Sequence, residues 1–154
     1  MGAVDAVSLT CAISAQLQNS AILKEFEGRK IMIGYVTVGT NDLKKAGEFY
    51  DKICGELGMG RFMANDRLIA WGGPGGGAGF GVALPYDGKP MTVGNGVMAA
   101  FGAKDKAHVD RIHKLALSLG ATCEGPPGPR GDSGFYAAYF RDPEGNKLNA
   151  FVMG

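Results

Sequence analysis

Apolar and β-branched residues alternate with other residues along positions 31–38, and this period of two predicts a β-strand. The chain then reaches Asn41 and Asp42, either of which can accept a hydrogen bond from a free N–H group at a helix start. Beyond them, apolar residues recur at intervals of three and one, which places them on one helix face. They are Ala46, Phe49, Tyr50, Ile53, Cys54 and Leu57. Gly58 follows and is expected to end the helix.

The same order of elements recurs in the second half of the chain. Residues 97–101 predict a short strand, Asp105 a helix cap and Gly120 a helix end. Four pairs of matching positions are each 63 residues apart: Asp42 and Asp105, Phe49 and Ile112, Tyr50 and His113, Ile53 and Ala116. Chance explains one such pair but not the cap and the buried face together, so the pattern indicates a duplicated unit.

Each helix is followed by a pattern typical of three antiparallel strands. These six strands are predicted at 61–65, 68–71, 80–84, 122–124, 135–141 and 147–152. Asn65-Asp66 is a plausible hairpin turn, residues 125–134 form a Pro- and Gly-rich loop, and the turn at 142–146 has Pro and Gly where a tight turn favours them. The predicted fold class is α+β, with two βαβββ modules forming a cupped, open-barrel mixed sheet with helices outside.

The composition suits one domain, because 154 residues with 45% hydrophobic content can bury a real core. We predict a single domain at 31–153, made of a first module at 31–90 and a second at 95–153. Residues 1–30 carry a ragged apolar face and predict a helical N-terminal extension, with a dimer contact or a weakly ordered tail as open alternatives.

Charge and cysteine content exclude several classes of protein. The net charge is +1 with no basic stripe, so no nucleic-acid partner is expected, and no apolar run approaches the roughly 20 residues that span a membrane. Three scattered cysteines fit a reduced, cytoplasmic setting. Both histidines fall on the second helix: His113 is expected to be packed and hydrogen-bonded in the core, and His108 to be solvated.

A motif near the C-terminus connects the repeat to a known family. Residues 135–147 read Phe-Tyr-Ala-Ala-Tyr-Phe-Arg-Asp-Pro-Glu-Gly-Asn-Lys, preceded by Gly128-Pro-Arg130 and by Gly94-Asn-Gly96. In this context the chain resembles the vicinal oxygen chelate superfamily, which includes glyoxalase I, bleomycin-resistance proteins and extradiol dioxygenases. The resemblance implies paired βαβββ modules, frequent homodimers, and a pocket inside each cupped sheet where a divalent metal chelates neighbouring oxygens of the substrate.

The metal ligands that the resemblance implies do not fall on metal-binding side chains. The first-strand ligand, usually His, falls on Tyr35, and its equivalent in the second module falls on Met98. The last-strand carboxylate falls on Asn149, and the remaining ligand falls within 80–84, where no His, Glu or Gln occurs. A phenol with a pKa of about 10, a thioether and a neutral amide make a poor site for the usual ions. We therefore expect neither a metal nor another cofactor.

Strand alternation predicts the lining of the pocket. If Val36 and Val38 face the helix, their neighbours on the strand face the cavity, and the other strands follow the same rule. Tyr136 and Tyr139 point to opposite faces, so one of them is expected to reach the cavity, and Trp71 is predicted at its mouth. The predicted ligand-binding residues are Tyr35, Thr37, Trp71, Met98, Tyr136, Tyr139, Lys147 and Asn149.

Three functions stay open at this point. The leading hypothesis is a metal-independent, glyoxalase- or bleomycin-resistance-like homodimer that binds a small organic molecule in an apolar, aromatic-lined pocket. The second is a lyase or isomerase related to glyoxalase I, with Tyr35 as an acid and Asn149 as a donor to an oxyanion. The third is a dimerisation protein whose pocket is filled by its own side chains, including Tyr35 and Met98.

Overall fold

The computed structural model describes residues 33–154, so the predicted extension at 1–30 lies outside the described residues. The elements are β1 Tyr35–Gly39, α1 Leu43–Glu56, β2 Gly60–Ala64, β3 Leu68–Gly72, β4 Gly79–Ala83, β5 Ala99–Gly102, α2 Lys106–Ser118, β6 Thr122–Pro129, β7 Phe135–Arg141 and β8 Lys147–Met153. The second five repeat the order of the first five, as the periodicity predicts.

The strands form two four-stranded mixed sheets, ordered β1-β4-β3-β2 and β5-β8-β7-β6. In each sheet the first strand pairs parallel to the last, and the other pairs are antiparallel. No strand pairing joins the two sheets within residues 33–154, so the barrel is open. The predicted α+β class with two cupped βαβββ modules is confirmed.

Both helices begin and end where capping chemistry predicts. The Asp42 side chain accepts a hydrogen bond from the N–H of Lys45 at 3.0 Å, and the Asp105 side chain accepts one from the N–H of His108 at 2.7 Å. Gly58 and Gly120 follow the two helix ends with φ angles of 75° and 95°. That left-handed conformation is costly for residues with a Cβ atom, which explains glycine at both places.

The helix-facing sides of the two sheets share one apolar core. Ile53 of α1, Ile112 of α2 and Leu148 of β8 are each completely buried in it. One aromatic contact connects the halves, because the Phe80 ring, which lies 4.8 Å from the Tyr50 ring in its own half, also lies 5.1 Å from the Phe101 ring of the other half. The core therefore holds the two sheets together without any strand pairing between them.

A buried carboxylate also connects the halves. Asp142, in the β7–β8 turn, accepts bonds from the Tyr50 hydroxyl at 2.6 Å and the Asn146 side-chain amide at 2.8 Å. It also accepts the backbone N–H groups of Glu144 and Asn146. The same Asn146 amide donates to the carbonyl of Gly39 at 2.9 Å. Burial, and then the Asp142 charge, raise the pKa of Tyr50 well above its usual value, so its hydroxyl stays a donor.

Three local expectations need correction. Strand β6 runs to Pro129 rather than ending at 124, because it is an irregular edge strand that tolerates proline and its pairing shifts twice. His108 is only 2% exposed rather than solvated, since its Nδ1 accepts the N–H of Lys104 at 3.1 Å. His113 is buried as expected, but its Nε2 has no hydrogen-bond partner, and burial lowers its pKa.

The hydrogen bond from Tyr50 to Asp142 gives a stability prediction. Tyr50→Phe removes a buried bond to a charged acceptor, so the free energy of unfolding should fall by about 1.5–3 kcal/mol. Urea unfolding followed by circular dichroism measures this change. Tyr86→Phe is the matched control, because Tyr86 is 91% exposed, and it should leave stability unchanged. Equal midpoints for both variants would mean that this bond does not hold the halves together.

Candidate functional site

One face of the second sheet has no helix of residues 33–154 against it. On β8, Leu148 and Ala150 are completely buried in the core, so Asn149 between them lies on the opposite face. The strand register places Ala100 of β5 and Tyr139 of β7 beside Asn149. We call this face the cup, and define it by Ala100, Gly102, Ala137, Tyr139, Arg141, Lys147, Asn149 and Phe151.

The floor of the cup is apolar and made of small residues. Gly102 and Ala137 are the register partners of Phe151 on its two sides, and Ala100 lies one row away. The Phe151 ring lies 5.4 Å from the ring of Phe135, which begins β7. The floor therefore combines small side chains with two aromatic rings.

Asn149 places a polar group in the middle of this apolar floor. Asn149 is only 1% exposed, and its amide oxygen has no hydrogen-bond partner among the residues that the structure describes. Leaving such a group unpaired costs about 1–3 kcal/mol. A buried polar atom held at this cost needs an explanation other than the stability of the fold.

Charged side chains occupy one end of the cup. Glu124 accepts a bond from Arg141 Nε at 2.5 Å and lies 3.0 Å from the ammonium nitrogen of Lys147. Bonds from Arg141, then from Lys147, lower the pKa of the Glu124 carboxyl, so it is ionised at neutral pH. Arg141 also donates from Nη1 to the carbonyl of Gly145 at 2.7 Å, which fixes its guanidinium beside the turn.

Tyr139 lies between two cations. The guanidinium carbon of Arg130 is 5.3 Å from the centre of the Tyr139 ring, and the ammonium nitrogen of Lys147 is 5.8 Å from it. Arg130 is held in place by bonds to the carbonyls of Pro126 and Pro129 at 2.7 and 3.3 Å. The ring quadrupole attracts both cations and so concentrates positive charge at this end of the cup.

The equivalent face of the first sheet carries almost no polar chemistry. Tyr35 and Thr37 of β1 are the register partners of Gly79 and Gly81 on β4. Tyr35 is 64% exposed at the edge of the sheet. The two cups therefore differ, because the first has glycines closely covered by Phe62 and Leu68 and the second has the amide and the charges.

Comparison with known proteins identifies the family. The family model described as the Glyoxalase/Bleomycin resistance protein/Dioxygenase superfamily matches residues 32–150. This chain belongs to that superfamily. The predicted resemblance to the vicinal oxygen chelate group is confirmed.

Solved structures of the superfamily support this. A glyoxalase/bleomycin resistance protein from Albidiferax ferrireducens T118 is 39% identical, with a TM-score of 0.73 over 80% of this chain and 99% of that one. A glyoxalase/bleomycin resistance protein/dioxygenase family enzyme from Burkholderia phytofirmans PsJN is 19% identical, with a TM-score of 0.63 over 79% and 98%. A lactoylglutathione lyase from Agrobacterium tumefaciens is 22% identical, with a TM-score of 0.59 over 78% and 92%. The last two show the fold alone.

Two further findings are negative. No curated protein sequence matches the chain. None of the helices within residues 33–154 is long and apolar enough to cross a bilayer.

The superfamily's metal site can be tested against the residues at its ligand positions. The register makes Gly81 the repeat counterpart of Asn149, since Thr37 pairs with Gly81 and Ala100 pairs with Asn149. The fourth ligand position of the superfamily, expected within 80–84, therefore holds a residue without a side chain. A Cβ at Gly81 would lie 3.2 Å from both the Ile69 carbonyl oxygen and Leu68 Cδ1, so the position is also crowded.

The donor set at these positions does not fit a divalent ion. Tyr35, Gly81, Met98 and Asn149 offer a phenol, no side chain, a thioether and an amide. Structural and catalytic metal sites need three or four donors of the imidazole, thiolate or carboxylate type. No group of three or more His, Cys, Asp or Glu side chains is arranged to hold a metal ion within residues 33–154.

The predicted ligand-binding residues lie in four different places. Tyr139, Lys147 and Asn149 lie together in the cup. Tyr35 and Thr37 lie on the open face of the first sheet, and Met98 precedes β5 with 41% exposure.

Trp71 and Tyr136 lie on the helix side instead of lining the cup. Trp71 is 1% exposed in the core and its indole N–H donates to Asp51 at 2.9 Å. The Tyr136 hydroxyl donates to Asp110 of α2 at 2.9 Å. Both side chains place their polar atoms at the helix surface and their rings against the apolar layer, which is why they turn away from the cup.

Glu124 and Arg130 are the site residues that the sequence does not predict. Glu124 belongs to β6 and Arg130 directly follows its last residue, and the Pro- and Gly-rich sequence there resembles a loop. Glu124 occupies a point where the β6–β7 register shifts, and this irregularity turns it towards Arg141 and Lys147. The sequence feature that could have indicated these two residues is the basic Arg130, which lies close to a strand that carries Arg141.

Two buried asparagines give a matched test of Asn149. Asn149→Leu replaces an unpartnered amide with an apolar group of similar size, so the free energy of unfolding should stay the same or rise by up to about 1–3 kcal/mol. Asn146→Leu removes the bonds to Gly39 and Asp142, so it should cost at least about 2 kcal/mol. Chemical unfolding of both variants measures the contrast. A large loss of stability in Asn149→Leu would assign Asn149 a structural role.

Proposed function

We propose that this protein binds a small organic molecule in the cup, without a metal ion. The observation that carries the proposal is the buried Asn149 amide oxygen, which has no partner and lies in an apolar floor beside Tyr139 and Phe151. Proteins stabilise themselves by pairing such groups, so an unpaired one in a concave face supports a role in binding.

The absence of a metal follows from the chemistry of the side chains. Tyr35 and Met98 are poor ligands for the hard and borderline ions that such folds use, and Gly81 offers no donor atom. Binding then depends on the fit of the apolar body and on the hydrogen bond to Asn149. This is the pattern of sequestration rather than of Lewis-acid chemistry.

A second copy of the chain is proposed to complete the site. Within each copy, residues 31–153 are proposed to form one domain of two modules, 31–90 and 95–153. Strands β1 and β5 each lie at a sheet edge. Tyr35, Val97 and Met98 on or beside these edges are 64%, 60% and 41% exposed. Exposed apolar side chains next to unpaired strand edges favour association, and a homodimer would cover the open faces.

The same exposure argues against a pocket filled by its own side chains. Tyr35 and Met98 are the residues that would fill it, and both are open to solvent in one chain.

The free thiols of Cys54 and Cys123 suit the reducing cytoplasm, which is the proposed location.

A neutral fluorescent probe tests the binding function. N-phenyl-1-naphthylamine has two flat apolar groups and one N–H donor, so its fluorescence should rise saturably with the protein, equally with and without EDTA. Asn149→Leu should weaken binding about tenfold, the equivalent of one hydrogen bond. Asn95→Leu, in an exposed loop, is the control and should bind normally.

Three results would contradict the proposal. They are stoichiometric metal in purified protein by elemental analysis, loss of probe binding in EDTA, and fluorescence that never saturates. Turnover of methylglyoxal with glutathione that disappears in Tyr35→Phe would favour the lyase or isomerase instead.

The dimer is tested by light scattering after size-exclusion chromatography. Wild-type protein should elute at twice the mass of the chain. Val97→Glu introduces a charge at the exposed edge and should shift the population to monomer, because burying an unpaired carboxylate is costly. Leu117→Glu on α2, where the side chain is also exposed, should remain dimeric. A wild-type monomer at micromolar concentration would overturn this part of the proposal.

A further inference from the structure

The charged end of the cup has more positive than negative charge. Arg130, Arg141 and Lys147 carry three positive charges, and Glu124 carries the one negative charge within bonding distance of them. Arg130 bonds only to backbone carbonyls, so it has no carboxylate partner among the described residues. Two positive charges are therefore left without a counter-charge on a concave, partly shielded surface.

Donor atoms remain available at this end. Glu124 accepts one hydrogen bond from the Lys147 ammonium and one from Nε of Arg141. The Gly145 carbonyl accepts one from Nη1 of Arg141. An ammonium has three donors and a guanidinium five, so Lys147 and Nη2 of Arg141 can still bond an anion. The side chains of Lys147 and Arg141 are 36% and 33% exposed, which leaves them open to a ligand but partly shielded from water.

These donors lie in line with the unpartnered amide. Arg141 and Lys147 are register partners across β7 and β8, and Asn149 follows Lys147 on the same face. Two residues along a strand span about 6–7 Å. The cup thus presents an anion site, then a hydrogen-bonding amide, then the apolar floor beside Phe151.

We infer that the molecule bound in the cup is an organic carboxylate with an apolar body and a hydroxyl or N–H donor. This inference rests on the proposed binding function. The carboxylate bonds Lys147 and Arg141, the donor bonds the Asn149 oxygen, and the body covers Ala100 and Phe151. A cationic ligand is disfavoured, since Arg130 and Lys147 already lie against the Tyr139 ring and would repel it.

Paired probes test this charge preference. 6-Hydroxy-2-naphthoate carries a carboxylate and a hydroxyl on an apolar body, and 6-(hydroxymethyl)-2-naphthol is nearly the same shape without the charge. Isothermal titration should show that wild-type protein binds the anion at least about tenfold more tightly, because charge-assisted bonds are the stronger ones. The preference should decrease as NaCl rises from 50 to 500 mM, while the affinity for the neutral probe stays constant.

Lys147→Met keeps an apolar stem while removing the charge, and should reduce the preference for the anion to about threefold or less. Lys114→Met removes an exposed charge from α2 and is the control, which should behave as wild type. If Lys147→Met does not fold, the salt dependence of the wild type still decides. Equal binding of both probes at all salt concentrations overturns the inference and leaves the binding function standing. Saturable binding of neither probe overturns both.

Discussion

The buried Asp142 carboxylate is the constraint on which the arrangement of the two halves depends. A carboxylate buried without partners would be very costly, and here four hydrogen bonds satisfy it, from the Tyr50 hydroxyl, the Asn146 side chain and two backbone N–H groups. Tyr50 belongs to α1 of the first half, and Asn146 also reaches the end of β1 at Gly39. One turn therefore fixes a helix and a strand of the other half, although the two sheets share no strand pairing within residues 33–154.

The chemistry of the cup follows from this turn. Strand β8 begins at Lys147, directly after Asn146, so the phase of its alternation is set where the turn ends. The residues Leu148 and Ala150 then enter the core, while Lys147 and Asn149 face the open side. A shift by one residue would exchange the two sets, burying the ammonium and exposing leucine. The same hydrogen-bonded turn that holds the fold thus gives the binding face its polarity.

Much of the fold could be predicted from the sequence, because it depends on local rules. The elements follow from the helix caps at Asp42 and Asp105 and from the periodic apolar positions. Their repeated order follows from matching positions that are 63 residues apart. Strand β6 was predicted to end too early, at 124, because an edge strand needs fewer backbone bonds and so tolerates Pro and Gly. Trp71 was predicted at the mouth of the pocket but lies in the core. Alternation gives the period of a strand, but when both neighbours of a residue are small it does not show which face meets the helix.

The candidate site was predictable where it depends on strand alternation and not where it depends on irregularity. Asn149, Lys147 and Tyr139 share a face through regular β7–β8 pairing. Glu124 reaches that face at a shift in the β6 register and Arg130 follows the end of β6, and neither placement has a sequence period. That Asn149 has no partner is likewise a three-dimensional fact, since it depends on every side chain around it.

The central claim is that the Asn149 amide binds a ligand without a metal ion, and nuclear magnetic resonance tests it most directly. The side-chain amide signal of Asn149, assigned by its loss in Asn149→Leu, is followed as EDTA-treated, ¹⁵N-labelled protein is titrated with 6-hydroxy-2-naphthoate. If Asn149 binds the ligand, this signal shifts saturably, together with the backbone signals of Ala100 and Phe151. An Asn149 signal that stays unchanged while others shift, or that shifts only after a divalent metal is added, would contradict it.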